Sequence, residues 1–387
     1  MKAPLDGLRV IEICSVAAGP FCGMLLGDMG ADVVKVESPH GGDSMRAWPP
    51  LTGGYSENFA SLNRNKRSVA LDLKSRADHE AARALLAEAD VLIENNRPGV
   101  MTRLGLDYAA VSELNPRIVY CSISAYGQTG PRASEGGFDL TIQAMSGIMS
   151  VTGEPGRSPV KCGVPMADFA TGLYAAFAVA SALRATAGSG KGTHIDASMF
   201  GCTLAVSALQ TSEYFGFGID PGKLGSAHPR NAPYEAFPAA DGHLAVAAGN
   251  DSLFAAACRA IGRPYLAHDA RFATTTLRAS NQKALKEIFE NFCAERTVAA
   301  LMEVLGAAGV PCAPVNSYSD ALADAQTAHM GWVRPLTLPN GERTKTFLSP
   351  LRFDGENPAL RWPPPGLGEH TDEVLDALPF TRRRTAS

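Results

Sequence analysis

Over the first 125 residues, short apolar runs alternate with amphipathic ones. "LRVIEI", "ADVVKVES", "SVALDL", "DVLIEN" and "RIVYCSIS" read as buried strands. Between them, "GPFCGMLLGDMG", "ADHEAARALLAEA" and a helical pair through "AAVSELNP" read as helices. Strands spaced by helices of about 10 to 15 residues make βαβ units and a mostly parallel sheet with right-handed crossovers. From 139 to 217 the pattern turns helical, in "DLTIQAMSGIMSVTG", "ADFATGLYAAFAVASALRATA" and "ASMFGCTLAVSALQTSEYFGFG", with one more strand at "GTHIDASM".

The pattern predicts residues 1–215 as a large domain, and "GFGIDPGKLGSAHPRNAP", within 216–233, as a linker. A smaller α+β domain over 234–328 opens with a hairpin flanking Asp241–Gly242, followed by helices near 251–261, 280–293 and 297–308. Residues 329–387 are Pro-rich and irregular, a return linker and C-terminal segment packing on the large domain, with one last helix at "TDEVLDAL". The basic end "TRRRTAS" reads as a frayed tail.

Composition narrows the function classes. A formal net charge of −4 gives no electrostatic reason to expect nucleic acid or an anionic membrane as partner. The 8 cysteines include no C-x-x-C pair and the 8 histidines form no cluster, so buried free thiols in a reducing cytoplasm are expected and a metal site is not. The N-terminus shows no leader pattern, and the longest apolar stretch, "GLYAAFAVASAL", falls short of the ~20 residues that span a bilayer. A soluble, cytoplasmic protein is expected.

The first strand–turn–helix, "VIEICSVAAGPFCGML", lacks the G-x-G-x-x-G spacing: Gly19 and Gly23 are four apart. A plain βα turn with Pro20 at the first helical position fits as well, and a nicotinamide dehydrogenase is not expected. A nucleotide can still dock at strand ends, where "LDLKS", "ENNRPG" and "RLG" offer Lys74, Arg97 and Arg103 to phosphates. Each cation alone reads equally as surface charge.

Asp168 sits where a Gly/Pro-rich loop meets an Ala-rich helix read as 168–187. Two roles fit that position. It can be a helix cap, worth about 0.5–2 kcal/mol. It can also be a carboxylate kept ionised by the helix N-terminus for nucleophilic work, with free amides nearby to stabilise an oxyanion.

"PLDGLRVIEICSVAAGP", "GADVVKVE", "GGDSMRAW", "NRNKRSVALDLK", "ENNRPGVMTRLGL", "YGQTGP", "MADFATGLYAA", "AHPRNAPYEAFPAADG" and "LGEHTDEVL", in that order, resemble the class III CoA-transferase family (CaiB/BaiF type, which includes formyl-CoA transferase). The resemblance implies an α/β fold with a Rossmann-like large domain, a smaller α+β domain and an interlocked-ring homodimer. It implies CoA bound at Ala17 and Ala18, at Leu71, Asp72, Leu73 and Lys74, at Asn95, Asn96 and Arg97, and at Arg103 and Leu104. It makes Asp168 the nucleophile, passing through aspartyl anhydride and aspartyl-CoA thioester intermediates. Coenzyme A and acyl-CoA enter as substrates together with a small carboxylic acid, and no permanently bound cofactor is expected. Ser38 stands where formyl-CoA transferase carries an arginine.

A 2-methylacyl-CoA racemase resembles the same chain but pairs its Asp with a His; that position, in "GGFDL", is Phe138, and neither His194 nor His228 lies in a matching motif. A catalytically idle CoA-binding protein is the other alternative, and exchange of labelled CoA into an acyl-CoA separates it. The short "AAGN" at 247–250, where formyl-CoA transferase has a long Gly-rich loop, argues against oxalate and formate. Arg46 or Arg230 could clamp the distal carboxylate of a dicarboxylic acceptor, and each also reads as an ordinary structural arginine.

Overall fold

Six strands form one sheet: β1 (Arg9–Ile13), β2 (Asp32–Glu37), β3 (Lys66–Ala70), β4 (Val91–Glu94), β5 (Val119–Ser124) and β6 (Thr193–Ser198). Their spatial order is β3-β2-β1-β4-β5-β6, and every neighbouring pair is parallel. The chain moves outward from β1 to β3, returns to β4 beside β1, and moves outward the other way. Two crossovers therefore leave β1 and β4 in opposite directions and open a crevice at their carboxyl ends. This computed structural model describes residues 3–378, so the basic stretch 381–387 lies outside the described residues.

Both faces of the sheet are covered, which is why β4 and β5 read as continuous apolar runs. On one face Leu85 and Leu86 of α2 (Arg76–Ala87) pack with Leu106, Tyr120 and, from the terminal helix Thr371–Asp376, Val374 and Leu375. On the other, Cys22 and Leu26 of α1 (Ala18–Asp28) pack with Ala175 and Val179 of α4 (Met166–Ser189). Between α1 and α4 (α3 is Asp139–Met145) the contact is close. A Cβ at Gly172 would stand 2.9 Å from the Ala18 carbonyl and 2.8 Å from the Phe21 ring. Glycine at that place lets α4 lie directly on the first turn of α1.

Strands β1, β2 and β3 carry buried charge. Lys35 Nζ donates to Glu12 Oε1 and to the Cys14 carbonyl, both at 2.8 Å, and lies 3.0 Å from Asp43 Oδ2. Lys66 Nζ lies 2.9 Å from the other Glu12 oxygen and donates to Pro20 O and Asn63 Oδ1. The Glu12, Lys35 and Lys66 side chains are 0% exposed. Gly23 makes room for them, since a Cβ there would overlap Glu12 Oε2.

The chain folds as two units, the larger containing residues through Ile148, Lys161–Ile219 and the chain from Thr327 on, the smaller Met149–Val160 and Asp220–Gln326. The smaller unit is built on the antiparallel hairpin β7 (Tyr234–Ala239) and β8 (Gly242–Ala247), with β9 (Cys312–Pro314) added on the β8 side. Helices Asp251–Ala260, Gln282–Cys293 and Val298–Ala307 enclose a core that includes Phe237, Phe254, Phe272 and Phe289.

Several element boundaries differ from those the pattern predicts. The β3 strand ends at Ala70, so Leu71–Lys74 leave the sheet as a loop rather than continuing it. α1 begins at Ala18, making Pro20 its third residue, where a missing N–H still costs no helical hydrogen bond. The helix expected from 139 breaks after α3 at Gly147, φ 85°. The helix expected near 197–218 divides at Ser207 into α5 (Met199–Val206) and α6 (Ala208–Phe217). The hairpin loop of the smaller unit is Ala240–Asp241, one residue earlier than read. Past 330 the chain is not wholly irregular: Val333–Thr337 pairs with Arg343–Phe347 across an Asn340–Gly341 turn. Finally, α4 runs to 24 residues with a mean hydropathy of 1.4 in its most apolar window, long and apolar enough to cross a bilayer by those measures alone. Its Ala, Gly and Thr positions extend it well past the apolar run visible in the sequence.

Candidate active site

The crevice between β1 and β4 widens into a cleft of about 790 Å³ within the larger unit. Ala17 and Ala18 line it from the start of α1, and Leu71, Asp72, Leu73 and Lys74 from the loop after β3. Asn95, Asn96 and Arg97 line it from the loop after β4, joined by Leu104, Ser38 and Asp168. Arg103 is not among the lining residues. It sits exposed at the end of the short helix Val100–Arg103.

Several of these residues build the cleft with their side chains. Asn95 Oδ1 accepts the Ser15 N–H at 3.0 Å and its Nδ2 donates to the Ser15 carbonyl at 2.8 Å, fixing the turn after β1. Asn96 Nδ2 donates to the Ile13 carbonyl at 3.4 Å. Asp72 Oδ1 accepts the Lys74 N–H at 3.0 Å, closing the 71–74 turn. Lys74 and Arg97 are exposed, so the cleft carries positive charge at its solvent side.

Asp168 is the third residue of α4, whose first turn starts after Pro165 and has no side-chain cap. The capping role is therefore overturned. The reason is local: the Ala167 N–H, one residue before Asp168, donates instead to Asp139 Oδ1 at 2.9 Å. Asp139 Oδ2 accepts from Gln143 Nε2 at 2.8 Å, and Gln143 Oε1 accepts the Cys162 N–H at 2.9 Å. This pair on α3 ties down both ends of the loop 162–167 that delivers Asp168 to the cleft.

The same packing sets the electrostatics. Burial pushes the Asp168 carboxyl up to about 7, and the Asp139 carboxylate adds to the rise. The helix N-terminus favours the anion by about 0.3–1 kcal/mol at most sites, and here desolvation outweighs it. A carboxyl-labelled NMR titration should show Asp168 with a midpoint near 7, and Asp139→Asn should move it down by removing the like charge. A midpoint near 4, the ordinary carboxylate range, would contradict this burial.

Other candidates settle differently. Arg46 is committed to the protein: it donates to both Glu37 oxygens at 2.7 and 2.8 Å and to the Pro365 carbonyl, and lies 3.8 Å over the Phe59 ring. Against the cost of burial, Arg46 and Lys35 hold Glu37 down to about 2. Arg46 has no free face for a substrate carboxylate. Arg230 belongs to the smaller unit. Phe138, 71% exposed, stands on the cleft wall where a racemase histidine would be needed. His194 is stacked on Tyr108, 5.0 Å between ring centroids, and bonded to Ser122 at 3.0 Å, away from Asp168. The sequence reading missed Asp139, Gln143, Ser15 and His40; only the short spacing of "GGFDLTIQ" hints at the first two.

The chain matches the model of CoA-transferase family III over residues 5–371. It is 40% identical to succinate–glutarate CoA-transferase of Agrobacterium fabrum, covering 100% of this chain and 98% of that protein. It is 41% identical to acetyl-CoA:oxalate CoA-transferase of Acetobacter aceti, over 84% of each. Among solved structures, a CaiB/BaiF family protein from Brucella suis superposes with a TM-score of 0.86 at 40% identity, covering 97% of this chain and 99% of that one.

Proposed function

Because this chain belongs to CoA-transferase family III, we propose that its cleft holds an acyl-CoA and that Asp168 relays CoA from a dicarboxylic acyl donor to a dicarboxylic acid. One observation carries the reading: a half-buried carboxylate, in no helix cap, opens onto a cleft lined at its solvent side by Lys74 and Arg97. Lys74, Arg97 and the turn at Leu71–Lys74 hold the CoA phosphates and base, and Ala17 and Ala18 border the thioester. His40 lines the stretch left by Ser38 and supplies a donor there.

The chemistry is a series of acyl exchanges. The Asp168 carboxylate attacks the thioester carbonyl; the C–S bond breaks and CoA leaves as thiolate, giving an acyl–aspartyl anhydride. Thiolate attacks the aspartyl carbonyl and releases the donor carboxylate, leaving an aspartyl-CoA thioester. The acceptor carboxylate attacks that thioester, expelling thiolate and forming a second anhydride. Thiolate then attacks the acceptor's acyl carbon and frees Asp168. Each step forms one acyl bond and breaks another, so electrons balance and no proton need move. The apolar surroundings that raise the Asp168 carboxyl also leave its anion poorly solvated and reactive once formed.

Dicarboxylate specificity rests on the relatives, named for succinate, glutarate and oxalate substrates. One relative is named for oxalate, so oxalate belongs among the acids to be tried alongside succinate and glutarate, despite the short 247–250 segment. With succinyl-CoA as donor, dicarboxylic acids should be accepted at least about tenfold better in kcat/KM than monocarboxylic acids of the same length. Equal use of acetate, butyrate and succinate would sink the dicarboxylate reading while leaving the relay intact.

The functional unit is proposed to be an interlocked homodimer. Leu173 and Phe177 of α4 and Leu209, Phe215 and Phe217 of α6 are 54–81% exposed, an apolar face a second copy would cover. The chain leaves the larger unit after Ile219 and re-enters it at Thr327, the closed path that linked copies need. Heavy- and light-isotope dimers mixed under native conditions should not exchange subunits over days, and loss of dimer and loss of fold should coincide on heating. Exchange within minutes would mean that the copies are not threaded; partition into vesicles would give the apolar face to lipid instead.

A further inference from the structure

Val16 is a β-branched residue at φ 67°, where residues other than glycine are rare and strained. Its surroundings fix it there. The Val16 N–H donates to both oxygens of the buried Asp43 carboxylate, at 3.1 and 3.3 Å. Asp43 is held in turn: its own N–H donates to Glu37 Oε2 at 3.0 Å, and Lys35 Nζ lies 3.0 Å from its Oδ2. The same ammonium donates to the Cys14 carbonyl at 2.8 Å. One buried cation therefore grips the turn on both sides of Ser15, directly at Cys14 and through Asp43 at Val16. The next two residues, Ala17 and Ala18, line the cleft with Asp168.

We propose that Lys35 and Asp43 are a positioning pair that holds the Val16 turn in its left-handed conformation, and so sets the peptide groups of Ala17 and Ala18 against the thioester that Asp168 attacks. The pair touches no reacting atom; it acts through the backbone. Glycine at 16 would adopt this conformation unaided, whereas valine needs the two anchors. The role assigned to Ala17 and Ala18 rests on the acyl-CoA reading of the cleft; the grip on Val16 does not.

The test is a rescue. Asp43→Asn leaves one oxygen where Val16 and Lys35 now share two, and should lower kcat by about 30-fold or more with KM for acyl-CoA within about threefold. Adding Val16→Gly to that variant should restore at least about tenfold of the loss. A general weakening of the fold by loss of the Lys35–Asp43 ion pair would not be rescued by glycine, so equal activity of the single and double variants overturns the proposal, as does an unchanged kcat in Asp43→Asn. Should the Asp43 variant not fold, two measurements decide on the otherwise unmodified protein. Val16→Gly should melt at or above Val16→Ala, the reverse of the usual order, and a crystal structure should show Val16 at positive φ against Asp43. The opposite melting order or a negative φ overturns it. Failure of the unmodified protein to transfer CoA to any acid would remove the acyl-CoA reading, while the melting order and the backbone angle still judge the turn.

Discussion

Asp168→Ala is expected to lower kcat by at least about 10³-fold while acyl-CoA binds within about threefold of its normal affinity, because the change removes the covalent relay and none of the groups assigned to CoA. The other described acids that line the cleft are engaged by the protein: Glu37 by Arg46, Asp43 by Lys35 and Val16, Asp72 by the Lys74 N–H, and Glu135 by Arg132. The variant should also be no less stable than the parent. Asp168 caps no helix, and its carboxyl is raised to about 7 by burial. A group with a raised folded-state pKa is a burden to the fold that grows as pH climbs from its unfolded value toward 7. Alanine removes that burden, so the melting temperature at pH 8 should stay level or rise. Activity within tenfold of the parent would move the nucleophile elsewhere; a collapse in stability would mean that Asp168 is a structural anchor.

Gly23→Ala is expected to lower the melting temperature by about 6–20 °C, from the ~3–5 kcal/mol that breaking a buried ion pair costs and about 2–4 °C per kcal/mol for a domain of this size. In an ordinary helix the substitution stabilises by about 0.5–1 kcal/mol. The sign reverses here because the added methyl would occupy the place of Glu12 Oε2. Displacing Glu12 releases Lys35 and Lys66, both fully buried, from their shared counter-charge. Thermal denaturation of the variant checks this, and an unchanged or higher melting temperature would show that the charge cluster tolerates displacement.

The parallel sheet was legible because strands buried on both faces write themselves as apolar runs, as "DVLIEN" and "RIVYCSIS" do. Asp168 was legible as a singular acid at a loop–helix junction, and the lining residues from Ala17 to Arg97 as turns at strand ends. What the sequence hides is tertiary. Asp139 lies far from Asp168 along the chain, and only folding brings it to the Ala167 amide, where it takes over the bond a cap would have made. Glu12, Lys35 and Lys66 look like solvent-facing charges within strands and are instead the buried centre under the cleft. The hairpin at 333–347 is masked by Pro335 and Pro339 within a Pro-rich stretch, although its alternating Thr and Arg positions carry a strand signal. Arg103 shows the converse: a cation next in sequence to the cleft-lining Leu104 does not itself line the cleft.

The most direct measurement is to trap the relay in the act. Incubated with an acyl-CoA and hydroxylamine, the enzyme should lose activity in step with formation of a hydroxamate, as hydroxylamine displaces CoA thiolate or the acyl group from the aspartyl carbonyl. Mass spectrometry of the peptide spanning Lys161–Ala185 should place that hydroxamate on Asp168, and only when acyl-CoA is present. Complete inactivation with Asp168 recovered as a free carboxylate, or the same modification in the absence of acyl-CoA, would contradict the covalent role assigned to this residue.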